Sequence, residues 1–212
     1  MKKKRSSSAR QRGRPINAAT YDAIIRTAAQ LFMAQGLHAT TMDHIARNLG
    51  ISKLTLYSRF ENKEALFTAV IEAKCQHYFP EFLFTGLLQR PMEQALELIA
   101  RGLMQLLLSD DVIAMERLLM AEAESQPHLI QLFYNAGPGR TKALIANLLR
   151  HWHIQGDLTV PNPKIATDMF CAMFKGSDMI FRRSMRLSPA PTSREINAYC
   201  RAAVRCFIIA HS

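Results

Sequence analysis

The amino-acid sequence predicts an all-α protein of about nine helices, with a small N-terminal unit followed by a larger C-terminal one. Three observations carry that expectation. Apolar residues recur at helical spacing through most of the 212 residues, and no segment shows the alternation of a strand. Ser, Thr, Asn or Pro stands where most of these stripes begin, as helix starts prefer. Charge is divided unevenly: residues 1–75 hold 13 Lys/Arg against 5 Asp/Glu, a net of +8, whereas residues 76–212 hold 14 against 12. The first part suits a polyanion and the rest is nearly neutral. A solvated basic tail is the other reading of that excess.

Residues 1–15 carry seven positive charges, no negative ones and almost no apolar side chain, a composition that predicts a disordered arm. The first helix is expected over about Ala18–Gln35, with Tyr21, Ile24, Ile25, Ala28, Leu31 and Phe32 on one face and Gly36 as its C-cap. Thr41 caps a second helix whose Met42, Ile45, Ala46 and Leu49 face inward. Gly50 supplies a tight turn, and Ser52 caps a third helix ending near Phe60. Asn62 caps a fourth, with Leu66, Phe67, Val70 and Ile71 on its apolar side. The segment from Pro80 to Pro91 breaks the pattern. A fifth helix is expected over about Met92–Leu108 and a sixth from Ser109–Asp110 to about Gln126. The seventh covers Pro127–Gln155, interrupted or kinked at Gly137, Pro138 and Gly139. Asn162 and Pro163 open an eighth running through about Met185, and Ser188 to Pro191 is a loop. Thr192 with Glu195 makes a capping box for a ninth, which ends at about Ile209.

The segment Thr40–Phe67, TTMDHIARNLGISKLTLYSRFENKEALF, carries the most specific chemistry. Ile51, Leu56 and Phe60 can pack inward, which leaves Lys53, Leu54, Thr55, Ser58 and Arg59 pointing outward. A short helix anchored on one side in this way can lie in a major groove with its N-terminal residues at the base edges. Thr41 and Ser52 sit at helix N-termini, where hydroxyls and backbone N–H groups favour a phosphate. Tyr57 offers a phenol with the reach to touch one. Lys63 stands at the start of the fourth helix, where it opposes the helix dipole, so its placement suggests an external anion. An ordinary helical hairpin with a solvated face is the bland alternative.

The full run resembles the DNA-binding domain of the TetR/AcrR repressor family. The resemblance rests on Ala29–Gly36 (AQLFMAQG), Thr40-Thr41-Met42, Ile45-Ala46, Leu49 to Lys53, Thr55-Leu56-Tyr57, Phe60 and Lys63 to Phe67, and it covers roughly residues 17–75. It implies a dimeric repressor with a small-molecule pocket in its C-terminal domain. By matching position it implies DNA contacts at Thr41, Ser52, Lys53, Leu54, Thr55, Tyr57 and Lys63, with Arg59 at a position that is sometimes a contact. Leu54 departs from the family pattern, which often has a small residue or proline there. A leucine at that position is expected to press on a thymine methyl. The domain limits that follow are a basic arm at 1–15, a helix-turn-helix domain at 16–75 and a regulatory and dimerisation domain at 76–212. Arg12-Gly13-Arg14-Pro15 resembles an AT-hook core, and arginines on flexible arms enter narrow A·T-rich minor grooves. Non-specific phosphate contact by Arg12 and Arg14 is the equal alternative.

Beyond Pro80, the eighth helix is apolar on two faces. One stripe is Ile165, Met169, Met173 and Ile180; the other is Ala166, Phe170, Phe174 and Phe181. A helix apolar nearly all round must be covered on both sides. The ninth continues with Ile196, Tyr199, Ala203, Phe207 and Ala210. The expected homodimer, which the resemblance also implies, pairs the eighth and ninth helices of two protomers about a two-fold axis, through Ile165, Met169, Met173, Ile180, Tyr199, Ala203 and Phe207; a central buried helix in a monomer is the other reading. Met104, Leu107, Phe133, Trp152, Phe170 and Phe174 are the candidate lining of the effector pocket. The polar candidates, His128, Asn135, Asn147, Asp168 and Asp178, form no charge cluster, so a hydrophobic or aromatic effector is expected.

Other functions find little support. No Ser/His/Asp set, phosphate loop or carboxylate pair stands out, so no enzyme and no cofactor is expected. His151 and His153 flank Trp152, and side chains two apart on a helix point in nearly opposite directions, so they cannot share a metal. The four cysteines, Cys75, Cys171, Cys200 and Cys206, form no CxxC pair and suit reduced, buried thiols. No run approaches the ~20 apolar residues that span a bilayer, and a cytoplasmic location is expected. The sequence thus reads as a ligand-responsive repressor that binds double-stranded DNA at a palindromic operator. An activator or non-ligand-gated regulator of the same family is the near alternative, and an all-α enzyme the distant one.

Overall fold

The computed structural model describes residues 18–212, which form helices and no strand. Arg12, Arg14 and the rest of the expected arm lie outside the described residues. The chain divides into two compact units, Met1–Leu66 and Phe67–Ser212.

In the first unit, α1 (Ala18–Ala39) carries Gly36 in a non-helical, left-handed conformation (φ 78°, ψ 164°). The glycine therefore breaks the helix three residues before its assigned end. Helix α2 (Met42–Leu49) is capped by Thr41, whose side chain accepts the His44 N–H, and closed by Gly50 at φ 63°. Helix α3 (Lys53–Tyr57) is capped by Ser52, whose side chain accepts the Thr55 N–H. It stops earlier than its sequence suggested, and the residues up to Phe60 are turn. Helix α4 (Lys63–Tyr78) starts at Asn62, whose Oδ1 accepts the Ala65 N–H at 2.8 Å. The core of this unit is Ile24, Ala28 and Phe32 of α1, Ile45 and Ala46 of α2, and Leu56 and Phe60.

The second unit holds α5 (Glu81–Leu87), α6 (Met92–Leu108), α7 (Asp110–Glu122), α8 (Pro127–Tyr134), α9 (Arg140–Gln155), α10 (Pro163–Lys175), α11 (Asp178–Ser184) and α12 (Ser193–Ala210). One expectation is corrected here and another is given its form. The stretch between Pro80 and Pro91 contains a helix, α5, too short for its periodicity to be read between two prolines. The expected interruption near Pro138 is a π-helical segment, Asn135–Gly139, that runs on into α9 without a break. A wider turn accommodates a residue that lacks an N–H and crowds the preceding turn. Gly137 has a second reason to be glycine: a Cβ there would lie 3.0 Å from Ile71 Cγ2 and 3.4 Å from Cys75 Sγ.

The expected eighth helix is also corrected. It breaks at Gly176-Ser177 into α10 and α11, because Ser177 adopts an extended conformation and its buried hydroxyl caps the Ile180 N–H. The break shifts the phase of everything after it. Ile180 turns inward at 4% exposure and Phe181 outward at 56%, so the four-residue stripe Ile165–Met169–Met173–Ile180 does not keep to one face. Thr192 and Glu195 do form the capping box of α12.

The core of this unit is aromatic at its centre. Phe170 packs edge-on against Phe174 and Phe207, with ring centroids 5.1 and 5.0 Å apart, and Phe174 meets Tyr199 at 6.3 Å. Around it, α10 packs on α9 and α12 on α6. Against the expectation of four buried thiols, Cys200 is buried, Cys75 and Cys171 are half-buried and Cys206 is exposed. Burial pushes the Cys171 and Cys200 thiols up to about 11 and raises that of Cys75 as well, so little thiolate forms near neutrality.

Two measurements check this packing. Phe170→Ala should lower the unfolding free energy by about 3–5 kcal/mol, the range for emptying an aromatic site in a closed core, read from the urea midpoint. Iodoacetamide at pH 7.5 should leave Cys171 and Cys200 unlabelled in the folded chain and label both in urea, as mass spectrometry of the peptides would show.

Candidate nucleic-acid interface

The helix-turn-helix of the first unit is built from α2, Gly50 and α3. Leu56 is the anchor: it is fully buried while its neighbours on α3 are not. The Leu56 N–H donates to the Ser52 carbonyl at 3.2 Å, and the Ile51 N–H to the Ala46 carbonyl at 3.1 Å, which fixes the turn between the two helices. The outward side of α3 then presents Lys53, Leu54, Thr55 and Tyr57. Leu54 is 80% exposed and Tyr57 47%. Thr55 Oγ1 lies 2.8 Å from Ser52 Oγ, and the Ser58 hydroxyl donates to the Thr55 carbonyl at 2.8 Å. Thr41 is exposed at the start of α2, and Arg59 is exposed just beyond α3.

Two charged residues have partners that the sequence did not reveal. Lys53 forms an ion pair with Asp43 in the first turn of α2, a surface pair that ties the two helices together. Such exposed pairs contribute ~0–1 kcal/mol and exchange readily for another anion. Lys63 donates to the carbonyls of Leu37 at 2.6 Å and His38 at 3.3 Å. These are carbonyls at the end of α1, where a cation is favoured. The lysine that opposes the dipole of its own helix therefore serves the C-terminus of another, which removes the need for an external anion to explain its position.

Thr40 was not singled out as a site residue from sequence, although it sits in the motif. It has no exposed surface, and its hydroxyl reaches the carbonyls of Gly36 at 2.8 Å and Leu31 at 3.2 Å. It clamps the corner between α1 and α2, and so holds Thr41 at the head of α2. Only the pairing of a buried hydroxyl with the glycine four residues earlier could have signalled this role.

Most of the residues expected to line an effector pocket pack in the core. Met104, Trp152, Phe170 and Phe174 are 0–3% exposed and belong to the packed core of the second unit, while Leu107 packs against that core half-buried and Phe133 is also half-buried. A shallow cleft open to solvent is lined by Glu72, Cys75, Gln76, Phe79, Arg140, Thr141 and Leu144. Arg140 lies 3.9 Å from Glu72 across it. Of the residues expected to join two protomers, Ile165 and Met169 are over half exposed, Met173 and Tyr199 are half-buried, and Ile180, Ala203 and Phe207 lie in the core. Exposed apolar side chains instead include Phe181, Met185, Leu187 and Ile209. Among the described residues, no group of three or more His, Cys, Asp or Glu could hold a metal ion, and no helix is long and apolar enough to cross a membrane.

Comparison with known proteins places this arrangement. Residues 24–70 match the family model for bacterial regulatory proteins of the TetR family, and residues 94–211 match that for the C-terminal domain of AefR-like transcriptional repressors. The chain belongs to the TetR family of transcriptional regulators. A 62-residue stretch is 39% identical to the biofilm operon icaADBC negative transcriptional regulator IcaR of Staphylococcus epidermidis, covering 29% of this chain and 33% of that protein. The match thus spans about a third of that relative's length. Two solved structures match almost throughout. One is a TetR-family regulator from Mesorhizobium loti, 26% identical with a TM-score of 0.75 over 92% of this chain and 98% of that one. The other is the flavonoid-responsive regulator FrrA, 30% identical with a TM-score of 0.71 over the same shares.

Thr40→Val tests the clamp. Losing a buried hydroxyl that serves two carbonyls should cost about 1–3 kcal/mol, read as a lower denaturation midpoint, and it should weaken DNA binding although the residue is fully buried.

Proposed function

We propose that the chain is a ligand-released repressor that binds a palindromic operator as a homodimer, with α3 of each protomer in the major groove. The observation that carries this reading is the outward face of α3. Lys53, Leu54, Thr55 and Tyr57 project from a helix whose Leu56 is locked beneath, and Thr41 and Ser52 flank them at two helix starts. Polar side chains and helix N-termini set register on phosphates, while the first turn of α3 reads bases. TetR-family regulators are typically DNA-binding proteins rather than enzymes, and no catalytic step is needed to explain this surface.

The homodimer we propose uses the apolar side chains that the second unit leaves in water, Ile165 and Met169 of α10, Phe181 of α11 and Ile209 of α12. Isologous pairing would withdraw each of them twice over. The effector we propose is hydrophobic or aromatic, and the cleft beside Cys75, Phe79 and Leu144 is its candidate entry. The flavonoid-responsive regulator FrrA makes a polyphenolic ring system the first class to test. Release follows by linkage: an effector that binds best to a conformation with low DNA affinity lowers that affinity by the same factor. Glu72 and Cys75 line the cleft from α4, the helix that begins at Lys63 in the first unit, so a shift of α4 is the route we favour.

Selection of bound sequences from random duplex DNA tests the core of this reading. It should enrich an inverted repeat, and log affinity for that repeat should fall linearly with log salt as phosphates are neutralised. Recovery of no preferred sequence would refute the operator-binding role. The Ile165→Glu, Phe181→Glu pair should convert the dimer to monomer by light scattering and abolish operator binding, with helix content unchanged by circular dichroism.

A further inference from the structure

Helix α4 and the start of α9 share a seam that runs in the same direction along both. The buried Ile71 of α4 faces Gly137 of the π-helical segment, where a Cβ would come within 3.0 Å of Ile71 Cγ2. One turn further on, the hydroxyl of the buried Thr141 hydrogen-bonds the Cys75 thiol. A turn beyond that, Phe79 and Leu144 line the cleft. The seam is therefore closed at the glycine and open to solvent at its other end. Glycine and proline are the residues that helices resist most, yet the segment Asn135–Gly139 holds two glycines and Pro138. Pro138 has no N–H to give the Tyr134 carbonyl four residues before it. The backbone of Gly139 approaches that carbonyl instead, since a Cβ there would lie 3.0 Å from it, and a π turn is the form that brings the next residue round.

We propose that this π turn is the joint that positions α4, and that Gly137 is a positioning residue for operator binding, acting through Ile71. The inference rests on the proposed operator-binding role and adds to it the place at which the second unit holds α4. Helix α4 begins at Lys63 and runs without a break through Ile71 to Tyr78. Ile71 lies roughly two turns from that beginning, so a displacement at the glycine is carried along the rod to Lys63. There the Lys63 ammonium donates to the carbonyls of Leu37 and His38, which ties the start of α4 to the end of α1. Close-packed interiors transmit strain of this kind rather than absorb it. The two forms of the turn are what make it a joint. In the π form Gly137 sits against Ile71, and relaxation to an α turn would swing it off that side chain. Regular helix formation favours alanine over glycine, so the close approach of α4 is what the glycine serves.

The test uses the full chain and the site selected from random duplex DNA, with dissociation constants from fluorescence anisotropy. Gly137→Ala adds one methyl group against Ile71. Binding should weaken about tenfold, the factor that overpacking by one methyl group carries when α4 moves to relieve it. Mass by light scattering and helix content by circular dichroism should not change. Ile71→Ala makes room for the added methyl group, so the double variant should bind within about twofold of Ile71→Ala alone. Gly86→Ala on α5 is the control: a Cβ there meets nothing within 4 Å, and affinity should stay as it is. Should Gly137→Ala fail to fold, Pro138→Ala takes its place. It returns the N–H that favours an α turn, and binding must again weaken with the dimer intact. Unchanged affinity in the variant tested, a loss that goes with loss of the dimer, or losses that add in the double variant would each overturn the inference and leave operator binding standing. A selection that enriches no sequence overturns both.

Discussion

A helix of five residues has almost no stability of its own. Nucleation fixes several dihedrals for each early hydrogen bond, and isolated helices shorter than about 12 residues are marginal in water. Helix α3 therefore exists because its surroundings hold it: Leu56 is sunk in the core, Ser52 caps the start, and the Gly50 turn sets its departure from α2. Every outward-facing residue inherits its position from these three. The same constraint explains why the buried Thr40 belongs to the site. Its hydroxyl fixes the corner that α2 leaves from, and α2 in turn carries the turn and α3.

Much of this unit was legible because its determinants are local. Thr41, Ser52 and Asn62 announce helix starts by side-chain chemistry that acts within three residues, and Gly50 announces a left-handed turn that other residues resist. What stayed hidden depends on residues far apart in sequence. The pairing of Lys53 with Asp43 and the use of Lys63 by the carbonyls of Leu37 and His38 both need the fold before they can be seen. Lys63 is instructive, since the helix-dipole argument was sound for its own helix and missed the neighbouring one.

In the second unit the limit was phase. Reading α10 and α11 as one helix put Ile180 with Ile165 and Phe181 with Phe170, and a single serine cap reversed both assignments. The expected effector lining meets a related limit. Composition identifies large apolar residues such as Met104, Trp152 and Phe174 but does not say whether neighbours leave space between them, and here they close on one another. The cleft has polar as well as apolar lining, Glu72, Arg140 and Thr141 among it, which a search for apolar walls passes over.

The π-helical segment Asn135–Gly139 has a consequence for how α8 and α9 can be aligned. Each residue of an α-helix advances the chain by about 100° around the axis, and a π turn takes in about one residue more than an α turn. It acts as a phase correction inserted between two stretches of otherwise regular helix. Leu129 on α8 and Ile145, Leu148 and Trp152 on α9 are all buried, although uninterrupted α-helical counting would set them on offset sides. Removing one residue from the segment would leave a continuous helix, yet it would rotate the whole buried face of α9 towards water. Insertions and deletions are usually tolerated in loops and resisted in helices. Here the five length-sensitive residues read, in sequence, as a break in a helix.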